Sequence, residues 1–96
     1  MSDRPATAVA MMIDERTRWL LRLVGDELTT ARGRFAPFNS PHEGWAVIRE
    51  ELDELWEHVK ANTGGSEKAQ DEAIQLATMA LRYAYDIFEW GPSRAE

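Results

Sequence analysis

From Ala69 to Phe88, apolar residues cover more than half of a helical circumference. At about 100° per residue, Ala69, Ala73, Leu76, Ala80, Ala84 and Ile87 form one stripe, and Ile74, Ala77, Leu81, Tyr85 and Phe88 widen it. A helix this apolar has to be covered on more than one side. The chain has 96 residues, one small domain with a limited core. Little of it is left to cover the helix, so completion by other copies is expected, as a homodimer or a dimer of dimers. The many alanines permit close helix approach.

Local signals place two more helices before this one. Ser40 is an N-cap, Pro41 fits the first helical position, and Glu43 completes a capping box three residues on. That helix is expected to run to about Ala61, where Asn62-Thr63-Gly64-Gly65 ends it with glycine in the left-handed conformation. Ser66 caps the apolar helix, and Gly91-Pro92 closes it. Upstream, Ala6 to about Thr30 reads as one long helix with Pro5 in its first turn. Val9, Ile13, Leu20 and Val24 make its stripe, with Met12, Leu23 and Leu28 beside them. Asp14, Glu15, Arg16 and Arg18 face solvent, and Gly25 marks a bend or an early end. Phe35 and Phe38 in the connection tuck into a core edge or wall a ligand pocket. The expected fold is all-α: three main helices in an antiparallel bundle, one domain over residues 1–96, with 1–5 and 92–96 as frayed tails. No strands or repeats are expected.

Composition removes several functions. The net charge of −6 disfavours a nucleic-acid backbone as direct partner. The absence of cysteine excludes disulfides, thiolate metal sites and cysteine nucleophiles. No apolar run reaches the roughly 18 residues of a membrane span. Met-Ser-Asp-Arg-Pro lacks a signal-peptide layout, and the expected location is cytoplasmic.

The chemistry concentrates in the second helix. Glu50-Glu51-Leu52-Asp53-Glu54-Leu55-Trp56-Glu57 carries five carboxylates in eight positions. Leu52, Leu55, Val59 and Ile48 share its apolar face, Glu43, Glu50, Glu54 and Glu57 line another, and Glu51 lies between them. Glu51 and Glu54 are three apart and repel as neighbours. A solvated acidic face is the plain reading of such a helix. A hard divalent cation would offset the repulsion. With the second and third helices antiparallel, Glu51 and Glu54 face a flank carrying Glu72 and, three residues on, Gln75. Carboxylate oxygens with water suit Mg2+ or Mn2+, and helix bundles build metal sites from facing side chains. A di-iron site fails on spacing, because neither His42 nor His58 follows a glutamate by three residues. Gly64-Gly65 has neither the length nor the lysine of a phosphate loop.

Glu50-Glu51-x-x-Glu54 resembles the EExxE signature of the MazG-like, all-α nucleoside triphosphate pyrophosphohydrolases. Glu72-Ala73-Ile74-Gln75 aligns with that family's ExxD segment on the next helix. The resemblance covers about residues 40–88, and Phe38-Asn39-Ser40-Pro41-His42-Glu43-Gly44 is also similar to segments of MazG-like bacterial and phage proteins. It implies magnesium-dependent hydrolysis of a nucleoside triphosphate to monophosphate and pyrophosphate. Glu51, Glu54 and Glu72 would hold the metal, with Gln75 in the fourth place and Glu50 orienting or deprotonating water. Lys60 and Arg82 are the candidate phosphate contacts, against a plainer reading as ion-pair partners, Arg82 with Asp86. Gln75 departs from the family's aspartate. An amide offers one useful oxygen and accepts no proton at neutral pH, so turnover is expected to be impaired. The rival expectation is a non-catalytic helical oligomer that binds a nucleotide, a metal or a protein partner. Trp45 and Trp56 are expected in the core or an interface.

Overall fold

Three side-chain caps set where the helices begin. In the computed structural model, which describes residues 13–88, Asp14 Oδ1 accepts from Thr17 N at 2.7 Å and starts α1, Glu15–Arg34. Ser40 Oγ accepts from Glu43 N at 3.1 Å and starts α2, Pro41–Lys60. Ser66 Oγ accepts from Ala69 N at 3.1 Å and starts α3, Glu67–Ile87. The described residues are all-helical with no strand. No helix among them is long and apolar enough to cross a membrane.

Several boundaries differ from the sequence expectations, each for a local reason. The first described helix begins at Glu15, because Asp14, exposed as expected, uses its carboxylate as the cap. Ala6–Met12 and Pro5, with the tails 1–5 and 92–96 and the Gly91-Pro92 stop, lie outside the described residues. α1 neither ends nor is interrupted at Gly25 and continues to Arg34. Only half of the capping box forms. Glu43 reaches past Ser40 to Asn39, accepting from its backbone N at 2.9 Å and its Nδ2 at 3.2 Å. The left-handed residue after α2 is Asn62, at φ 61°, a role asparagine takes at helix ends when glycine does not. Phe88 has already left the helix, with φ −94° and ψ 109°.

α3 packs against both α1 and α2, which do not pack against each other. The core is small. Ala31, Phe38 and Met79 are buried, with Val47, Ile48, Tyr83 and Ile87 packed around them. Of the expected stripe, Ala69 is 1% exposed and Leu76 and Ile87 are half-buried, but its middle is not turned inward. Ala73, Ala77, Ala80 and Ala84 are exposed, whereas Thr78 is 0% and Arg82 7% exposed. Thr78 and Arg82 both donate to backbone carbonyls. Thr78 Oγ1 donates to Ile74 O at 2.8 Å, and Arg82 Nη2 donates to Ala36 O at 2.8 Å. Two helices cover only part of a third, and the side carrying Arg82 and Asp86 is gripped because those residues fasten the α1–α2 connection. Trp45 and Trp56, at 57% and 53% exposed, are outside this chain's core.

At Gly44, α2 lies close against Tyr83 of α3. A Cβ there would lie 2.5 Å from Tyr83 Cδ2 and 3.1 Å from Phe38 Cδ2. Ring carbons wedged in a small core cannot retreat freely, so Gly44→Ala is expected to destabilise by about 1–3 kcal/mol, although alanine is the better helix former. Gly33→Ala, in α1 with nothing within 4 Å, is expected to be neutral or stabilising. Urea unfolding of the two variants checks the contrast, and equal effects would show that the contact does not constrain the fold.

Candidate functional site

Between α1 and α2, with α3 as its floor, lies a cleft of ≈ 720 Å³. Small-ligand sites span about 300–1,000 Å³. Glu27, Thr30, Ala31 and Arg34 form one wall, at the spacing of a single face of α1. Glu43, Val47, Glu50 and Glu51 form the facing wall, and Gln75, Met79 and Arg82 the floor. The connection from Phe35 to Asn39 closes one end.

That end is held by Arg82 and Asp86. Besides its bond to Ala36 O, the Arg82 guanidinium sits 4.1 Å from the centre of the Phe38 ring, an attraction between a cation and the negative ring face. Its Nε lies 3.4 Å from Asp86 Oδ2, an ion pair whose angle does not make it a hydrogen bond. Asp86 Oδ2 also accepts from Phe38 N at 3.1 Å. Phe38 is therefore tucked into the core edge, and both it and Phe35, 56% exposed, line the cleft.

The other end leads to the acidic cluster. Glu51 and Glu54 from α2 and Glu72 from α3 each offer an oxygen, and these oxygens lie within 4.8 Å of one another. Glu72 Oε2 is buried without a hydrogen-bond partner. Burial, with the charges of Glu54 and Glu72 close by, pushes the Glu51 carboxyl up to about 7. Burial and Glu54 likewise raise Glu72, against a lowering contribution from His58. Elsewhere the direction reverses. Hydrogen bonds from Thr17 hold Asp14 low, and those from Asn39 hold Glu43 low.

The structure thus brings Glu51, Glu54 and Glu72 together, with Glu50, Glu51 and Gln75 on the cleft. Lys60 pairs with Glu57 at 2.8 Å and does not line the cleft. Arg82 does line it, but its guanidinium is engaged with Ala36, Asp86 and Phe38. Sequence reasoning passed over the α1 wall, Glu27, Thr30 and Arg34. Their spacing was visible, but a polar face on a helix reads as solvated until the opposite wall is known. No protein-family model, curated protein or solved structure matches this chain.

The raised carboxyls make a pH prediction for the metal-free protein. Between the unfolded value of about 4.5 and the Glu51 value of about 7, the folded state binds more protons than the unfolded one, so stability falls as pH rises. Asp14 and Glu43, with lowered values, act in the opposite sense only below their ordinary values of 3.8 and 4.5. Thermal unfolding in EDTA is expected to show a higher Tm at pH 5 than at pH 7.5, with a flatter profile in Glu51→Gln. A Tm that rises over that interval, or one that falls equally in Glu51→Gln, would contradict the clustering of these groups.

Proposed function

We propose that the chain is a magnesium-dependent nucleoside triphosphate pyrophosphohydrolase of the MazG-like kind, slowed by Gln75. The observation that carries this reading is the convergence of three carboxylates from two helices, one with an orphaned buried oxygen, beside a cleft of ligand size. Oxygens on opposite sides of a magnesium ion sit about 4.2 Å apart, twice a bond of about 2.1 Å. Separations within 4.8 Å need only small side-chain rotations to fit. Glu51, Glu54 and Glu72 would hold Mg2+, or Mn2+. Such an ion, when bound, neutralises phosphate charge and lowers the pKa of its water. Glu50, on the α2 wall, is the base that accepts or orients the proton of a water molecule. Antiparallel packing of α2 and α3 belongs to the same reading. Gly44, early in α2, meets Tyr83 late in α3, whereas Glu51 and Glu54, further along α2, meet Glu72 in the first half of α3.

The competing reading, a non-catalytic binder with the same fold, is favoured by one observation: Gln75, not an acid, stands on the cleft floor one turn from Glu72. The two separate experimentally. Mg2+ is expected to raise the Tm of the wild type, because it binds only the folded state, but not that of Glu51→Gln/Glu54→Gln. The double variant is expected to be slightly more stable without metal. Pyrophosphate release from a panel of nucleoside triphosphates is expected to be slow in the wild type, with Mg2+ affinity raised in Gln75→Asp. Identical metal responses in wild type and double variant would remove the site. Fast wild-type turnover unchanged in Gln75→Asp would remove position 75 from it.

Self-association completes the proposal. Trp45, Leu52, Trp56 and Val59 fall on one exposed stripe of α2, and Leu81 and Phe88 extend the exposed alanine side of α3. Trp45 and Tyr83 line a common hollow, so the two apolar faces adjoin. A contiguous apolar surface of this kind marks an interface, and a second copy as partner fits the shortage of core in 96 residues. Light scattering at micromolar concentration is expected to report a dimer or a dimer of dimers, and a clean monomer would overturn this part.

A further inference from the structure

We propose that Arg34 is the anion-binding residue of the cleft, receiving the end of a polyphosphate group remote from the acidic cluster. The inference rests on the reading of the cleft as a nucleotide site and adds a residue to it. Among the cleft-lining residues, charge is carried by Glu27, Glu43, Glu50 and Glu51 on one side of the balance and by Arg34 and Arg82 on the other. An anionic ligand entering this surface meets net repulsion. Arg82 offers little relief, since its donors and charge are already directed at Ala36 O, Asp86 and the Phe38 ring. Glu43 is likewise committed, to Asn39.

Arg34 differs from both. It forms no ion pair among the described residues. Its guanidinium lies 5.7 Å from the centre of the Phe35 ring, a loose contact that leaves its fork of donors available. A basic residue in the last turn of a helix can serve the helix dipole alone, but Arg32 already occupies that turn, stacked 3.6 Å over Tyr85. Arg34 also shares the α1 face of Glu27, Thr30 and Ala31, so it lies across the cleft from the wall carrying Glu50 and Glu51. A linear polyanion whose one end is neutralised by a cation at the carboxylates needs a positive charge towards its other end. Arginine supplies it with two parallel donors. The exposed Phe35 ring beside it offers a flat apolar surface to whatever the polyphosphate carries.

Isothermal titration of the full chain with inorganic tripolyphosphate in MgCl2 tests the assignment, against MgCl2 alone as a separate titration. Arg34→Gln is expected to weaken tripolyphosphate binding about tenfold or more, and Arg34→Lys to weaken it less. Arg22→Gln, the same charge change on α1 away from the cleft, is expected to remain within about twofold, which removes general electrostatic attraction as the cause. Binding of Mg2+ alone is expected to be unchanged in Arg34→Gln. The assignment is overturned if the wild type does not bind tripolyphosphate, if Arg34→Gln binds as the wild type does, or if Arg22→Gln loses as much. Arg34-dependent binding of tripolyphosphate without any binding of Mg2+ alone would support Arg34 and remove the metal reading instead.

Discussion

The arrangement of this chain depends on a buried guanidinium. Arg82 sits where α3 meets the connection between α1 and α2, and a charge there costs several kcal/mol unless it is matched. Asp86 supplies the opposite charge from one turn away, 5% exposed along its side chain. Ala36 O and the Phe38 ring take the remaining directions. The same carboxylate oxygen that faces Arg82 accepts from Phe38 N. One pair of side chains on α3 therefore answers for backbone groups on either side of Pro37. Without them, the connection between α1 and α2 would have lost both of its bonds to the third helix. Since α1 and α2 do not pack together, that connection decides how wide the cleft between them stands.

The two ends of the cleft handle charge in opposite ways. The Arg82 charge has found its opposite, Asp86, within the chain. Around Glu51, Glu54 and Glu72 like charges are gathered, partly buried, with one oxygen left unpartnered. Carboxylates so placed can lower their energy by holding a proton, which is what the raised Glu51 and Glu72 express. A bound cation would do the same and return both groups to the ionised form. Helix capping does not explain the cluster. Glu51, Glu54 and Glu72 all sit beyond the first turn of their helices, where the positive end of the helix could help them.

Much of this was legible in the sequence wherever the cause is local. Ser40, Pro41 and Ser66 announced two helix starts, because a cap is a contact across three residues. Glu51, Glu54 and Glu72 were legible as a group because helical spacing fixes the first two, and a short turn at 61–66 limits where the third can fall. What was not legible depended on partners far along the chain. The alanine stripe of α3 promised burial by composition, but Arg82 and Asp86, read as a surface pair, turned out to be the residues that fasten the connection and so draw their own side inward. Asp14 showed the same limit on a smaller scale. A charge breaking an apolar run and a cap look alike until the backbone at that residue is known to be extended. The α1 wall was invisible for a further reason, since a cleft is defined by two surfaces and Glu27, Thr30 and Arg34 are only one of them.

These placements give α3 two unlike sides with separate consequences. One carries Glu72, Gln75, Met79 and Arg82 and forms the floor of the cleft and its acidic end, all within a single chain. The other carries Ala73, Ala77, Ala80 and Ala84 and is exposed. In the proposed dimer the second side would supply burial that the small core lacks, without any residue of the cleft having to cross the interface. Stability would then depend on association, whereas the geometry of the site would depend on the Arg82–Asp86 pair. The carboxylates can be crowded together because their neighbourhood is not asked to contribute stability as well. In the proposed dimer, holding the fold from the opposite face would offset the penalty of three adjacent acids in a chain with so small a core of its own.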